Sequence, residues 1–118
     1  MSVRTIVAAL KAHSGLSALV SNRVYRSALP QNPVYPLVMF EAEEEFINTL
    51  AGKSSLNKWN FEFTCKSKSL ETMESLTAQL TAALNSSTFS SVVGDVTDDE
   101  FEDELGVHTA SMDVSIWL

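Results

Sequence analysis

A chain of 118 residues, 45% hydrophobic and 19% charged, has the size and composition of one folded domain with a small core, which excludes a disordered chain and leaves little for linkers. Its formal charge of −7, with only eight Lys and Arg, argues against a protein that grips nucleic-acid backbones, because that affinity comes from neutralising phosphates. No apolar run approaches the roughly 20 residues that span a bilayer, and the N-terminus lacks the charged region, apolar run and cleavage site of a signal peptide, so a cytosolic protein without a membrane partner is expected.

Val3, Ile6, Val7 and Leu10 recur at helical spacing behind Ser2, a candidate N-cap, and predict an amphipathic helix over residues 3–13 that Gly15 ends. Leu16, Leu19 and Val20 mark a short second turn, and residues 22–26 a brief extended piece leading out of it. Pro30, Pro33 and Pro36 forbid helix and make an extended connector. Residues 37–45 place Val38 and Phe40 on one face and Met39, Glu41 and Glu43 on the other, a strand with one dry side that turns acidic at its far end. A loop or turn through Gly52-Lys53-Ser54-Ser55 follows, and then Trp59, Phe61, Phe63 and Cys65 alternate with polar residues in the clearest strand of the chain. Together these two strands form a long-armed β-hairpin.

Ser69 caps the next helix, with Glu71 and Glu74 in its first turns where negative charge suits the helix dipole. Met73, Leu76, Leu80, Ala83 and Leu84 are its apolar stripe, and Asn85-Ser86-Ser87 closes it. Val92, Val93 and Val96 suggest a short strand, residues 95–104 an acidic turn or loop, and residues 105–118 a last strand. There Ala110, Met112, Val114, Ile116 and Leu118 alternate with polar residues and Trp117, and a strand running to a chain end must be held by the fold or by a neighbour. The predicted architecture is one α+β domain over residues 1–118: a mixed, mainly antiparallel sheet of about four strands with two main helices packed on one face.

Side chains that might carry chemistry are few. The acidic run Asp95, Asp98, Asp99, Glu100, Glu102, Asp103 and Glu104 could attract a hard cation, but an EF-hand loop needs glycine at its sixth position, where this run has Glu100. A solvated acidic segment is the simpler reading, and no metal site or other cofactor is expected. Gly52-Lys53-Ser54 mimics the end of a phosphate-binding loop without the earlier glycine. Cys65, the only cysteine, sits inside an alternating strand and reads as a small core residue rather than a nucleophile. His13 at a helix end and His108 in a strand complete an inventory that predicts no active site and no enzyme.

The order of landmarks is more informative. Leu16-Ser17-Ala18-Leu19-Val20, Asn22-Arg23-Val24-Tyr25, Pro30 and Tyr35-Pro36-Leu37-Val38 come first. The aromatic strand Trp59 to Cys65, the helix opened by Ser69, an acidic segment and a terminal strand with Asp113 and Ile116-Trp117 follow. This succession, from about Leu16 to Leu118, resembles the tail-completion (tail terminator, head-tail joining) proteins of long-tailed bacteriophages. The resemblance implies a structural virion protein at the head-proximal end of the tail, assembled in the host cytoplasm. It would end growth of the tail tube and join tail to head as a homo-oligomeric ring, six subunits being the family expectation. The implied partners are further copies of the chain, the tail-tube protein and a head-completion or connector protein, with DNA passing through an acidic channel without specific binding.

Candidates to line that channel are Glu41, Glu43, Glu44 and Glu45, or Asp98, Asp99, Glu100 and Glu102; candidates for subunit contacts are Phe46, Trp59 and Trp117. The alternatives are a head-completion connector or tail-tube subunit of the same machine, or a non-viral acidic α+β protein-interaction module.

Overall fold

The computed structural model describes residues 3–45, 48–49, 52–53, 58–86, 90–102 and 106–117. Along them run α1 (Val3–Ala12), α2 (Ser14–Val20), β1 (Val24–Arg26), β2 (Leu37–Glu45), β3 (Asn48–Thr49), β4 (Gly52–Lys53), β5 (Lys58–Ser67), α3 (Leu70–Ser86), β6 (Ser90–Glu102) and β7 (Val107–Trp117). The main sheet has the order β1-β2-β5-β7-β6, antiparallel throughout except for the parallel pair β1 and β2, while β3 and β4, which lie between β2 and β5 in the chain, pair with each other as a separate two-stranded sheet. The α+β architecture and long hairpin are as the sequence predicts, and the brief extended piece at residues 22–26 joins the sheet as a fifth strand. The helices cover one face, with α1 touching β1, α2 touching β2, and α3 lying over β5, β7 and β6.

Alternation on the central strands explains the core. Phe61, Phe63 and Cys65 of β5 point to the helix side together with Val38 and Phe40 of β2 and Met112, Val114 and Ile116 of β7. Against them lie Ile6 and Leu10 of α1, Leu16 and Val20 of α2, and Leu76, Leu80, Ala83 and Leu84 of α3. The Phe61 and Phe63 rings stack at 5.5 Å between centroids, and Phe40 meets each of them at 5.8 Å. Burying a side chain of this size is worth roughly 1.5–3 kcal/mol, so this aromatic cluster is the main anchor between sheet and helices.

Local chemistry sets the ends of the helices. The break after α1 falls at His13 rather than at Gly15: the His13 Nδ1 accepts the Leu16 N–H at 3.2 Å and caps α2, which then contains Gly15. The missing Cβ of Gly15 leaves room for the far end of the Gln79 side chain of α3, which would have to swing aside for a larger residue. Arg23 donates from Nε to the Pro36 carbonyl at 2.9 Å and from Nη2 to the Leu19 carbonyl at 3.4 Å, tying the end of α2 to the start of β2. Ser69 caps α3 as expected, its hydroxyl accepting the Thr72 N–H at 3.4 Å. Ser2, proposed as the first cap, lies outside the described residues, as does Leu118.

One expectation is overturned. Residues 95–102 do not form a loop after a short strand: β6 runs through Glu102 and pairs with β7 along most of its length, while the rest of the expected loop, 103–104, lies outside the described residues. Two register shifts explain why the pattern was hidden. Gly94 and Asp95 together oppose Asp113, and Asp98 and Asp99 together oppose Ala110, so each bulge resets the period of two that marks a strand. The second half of β6 is also rich in Asp and Glu, residues with low strand preference.

Cys65 is buried in this core, and burial pushes its thiol from the ordinary 9.0 up to about 12, opposed by a hydrogen bond with Thr77 that lowers it. The thiol therefore stays protonated and inert in the folded chain, which removes it as a nucleophile. Because the folded value lies above the unfolded one, the associated stability is complete below pH 9.0 and falls as pH rises from 9.0 to about 12. Urea melts across that range should show the decline, and a thiol reagent at about pH 8 should modify Cys65 only after unfolding. Rapid modification of the native chain would contradict this placement.

Candidate functional site: the open face of the sheet

Fixing Phe61, Phe63 and Cys65 under the helices places Asn60, Glu62 and Thr64 on the other face, which the described helices leave uncovered. The pairing registers then build rows across the sheet. Glu41 of β2, Glu62 of β5 and Asp113 of β7 stand directly opposite one another, and all three are exposed. The adjoining row runs Glu43, Asn60, Ser115, in which the Ser115 hydroxyl lies 3.4 Å from the Asn60 Oδ1. These residues line a shallow concavity that reaches Gly94 in the first bulge of β6. A Cβ at residue 94 would sit 3.3 Å from the Asp113 carbonyl oxygen, so glycine lets the bulge lie close against β7 beside the acidic row.

Like charges directly opposite each other on neighbouring strands are destabilising. Three in one row are a cost that folding alone does not require, which makes this face the candidate functional surface. Lysines sit farther out on the same face of β5, Lys58 opposite Trp117 and Lys66 opposite Thr109. The Lys58 Nζ lies 5.9 Å from the Trp117 ring centroid, within cation–π range.

The candidates from the sequence separate in space. Glu41 and Glu43 belong to the acidic face, whereas Glu44 pairs with Trp59 on the helix side and is half-buried. Glu45 continues the β2 register opposite Lys58. Asp98, Asp99, Glu100 and Glu102 lie on β6, at the sheet edge and not with the central row. Trp59 packs against the core with its ring 6.4 Å from Phe61, and Trp117 sits half-buried on the open side. Phe46 lies outside the described residues. Sequence reasoning did not assign Glu62 and Asp113 to the candidate surface; the signal was available in their polar positions on two alternating strands, but only the register shows that they meet Glu41.

Among the described residues no three His, Cys, Asp or Glu side chains converge to hold a metal ion, and no helix is long and apolar enough to cross a membrane. His13 is occupied as a helix cap, and the His108 ring lies 4.7 Å from that of Phe101. What the fold presents is a sheet with one face under the helices and a charged face that the described helices leave open.

The comparisons with known proteins agree. The family model described as "Tail completion protein gp17" matches residues 4–118, and the chain belongs to that family, with a structural role in tail assembly. A chain of the solved structure titled "Virion of native gene transfer agent (GTA) particle" shares the fold, with a TM-score of 0.73 at 16% identity over 95% of this chain and 90% of that one. No curated protein matches.

Replacing the middle carboxylate relieves repulsion on both sides. Glu62→Gln is expected to raise the Tm by about 2 °C at low salt, and the gain should shrink as added salt screens the row. A fall in Tm, followed by circular dichroism, would show that Glu62 is needed for folding and not carried at its expense.

Proposed function

We propose that this chain is a virion component that ends growth of the tail tube and joins tail to head, acting as a closed ring of identical subunits whose acidic sheet faces line the passage for DNA. The observation that carries this reading is the in-register row Glu41, Glu62 and Asp113, with Glu43 beside it, in a chain of the tail-completion family. A conduit must let a polyanion slide. Basic linings exchange counterions for phosphate contacts and hold the duplex, whereas fixed carboxylates on a smooth sheet repel it along the whole path. A rigid sheet also keeps the carboxylates at constant spacing as the load passes, since antiparallel pairing on both sides of β5 immobilises the rows.

The ring arises from heterologous contacts that close, so that each subunit uses two different patches. Six copies are the family expectation. The tube protein on one side and a head-completion or connector protein on the other are the partners that such a position demands, and the duplex passes without sequence-specific contact. On this reading the protein sits at the head-proximal end of the tail.

Electron microscopy of particles assembled without this chain tests the reading. Overlong tails and unjoined heads are the expected result; normal virions in normal number would refute it.

A further inference from the structure

The charge of this chain is divided by position, and the sheet converts that division into two opposite edges. Residues 1–40 contain Arg4, Lys11, Arg23 and Arg26 and no Asp or Glu, whereas residues 90–118 contain eight carboxylates and no Lys or Arg. The first segment supplies β1, one end of the sheet order, together with α1 that touches it; the last supplies β6, the other end. Among the described residues β1 pairs only with β2 and β6 only with β7, so both strands present an outer edge.

Arg4, Lys11 and Arg26 are exposed, while Arg23 is engaged with the Leu19 and Pro36 carbonyls. On β6 the carboxylates are Asp95, Asp98, Asp99, Glu100 and Glu102. Near them Phe101 is 51% exposed, an aromatic ring that a covering partner would bury.

We propose that the acidic β6 edge of one copy docks on the basic β1–α1 edge of the next. Charge complementarity selects this occupant. A second copy placed edge to like edge would set five carboxylates against five, or Arg against Arg, and be repelled; turned head to tail, it meets the opposite sign. The contact is thus heterologous by electrostatics, the geometry from which rings are closed. Bulges at residues 94–95 and 98–99 interrupt the regular ladder of the β6 edge. They discourage indiscriminate strand addition and leave side-chain charge to set the partner and its polarity. This inference rests on the ring proposed above and names the surfaces that build it.

Charge reversal tests it in the full chain. One variant carries Asp98→Lys and Asp99→Lys, a second Arg4→Glu and Arg26→Glu, and a third all four. Each is checked by circular dichroism for an intact fold and scored by the yield of complete particles it supports. Each single-edge variant should lower the yield at least about tenfold, and the four-site variant should recover most of it.

Zero-length carbodiimide coupling of wild-type particles, analysed by electrophoresis and mass spectrometry, should give a ladder of self-coupled oligomers with Lys11 joined to a carboxylate of residues 95–102. Single-edge variants that assemble normally, or a four-site variant no better than its halves, would overturn the edge contact. A ladder obtained alongside either of those results would leave the ring standing through other surfaces. Absence of any self-coupled oligomer would remove the ring as well.

Discussion

Everything in this structure depends on the pairing of β5 with β2 on one side and β7 on the other. Because side chains alternate along a strand, packing Phe61 and Phe63 beneath the helices leaves no choice about where Asn60 and Glu62 go. The same registers bring Glu41 and Asp113 to either side of Glu62. A slip of one residue would bury the carboxylates and expose the phenylalanines, so the hydrophobic core holds the acidic face in place. Core and candidate site are two sides of one constraint.

That constraint also separates roles that the bare sequence runs together. The chain is acidic as a whole, and two sets of its carboxylates stand apart: a row on the central strands, and a series on the edge strand β6. A central row on an open face is suited to repelling a polyanion that passes over it. A charged edge opposite a basic edge is suited to orienting a neighbour. In the proposed ring these are the inner wall and the subunit joint, and neither calls for a catalytic group.

Much of the fold was legible in the sequence where periodicity was clean. The run from Lys58 to Ser67 and the stretch from Ala110 to Trp117 alternate without a break, and the stripe Met73, Leu76, Leu80 and Leu84 marks α3 plainly. The edge strand was missed beyond Val96 because two bulges break its alternation, so an acidic strand looked like an acidic loop. Gly15 suggested a helix end because glycine usually marks a boundary, whereas here it admits the Gln79 side chain of α3. For the candidate site, Glu41 and Glu43 could be assigned to one stripe from β2 alone. Glu62 and Asp113 could not join them without the register, which is a property of pairing and not of any single strand. The resemblance to the family was legible in the order of landmarks from Leu16 to Trp117, in a chain where no residue signals chemistry.

Cryo-electron microscopy of the head-tail junction shows directly where the acidic face looks in the assembled particle. A closed ring of this chain at the head-proximal end of the tail is the expected result, with Glu41, Glu62 and Asp113 turned to the lumen and the helices outward. A ring with that row on its outer rim, or with the helices facing the DNA, would contradict it.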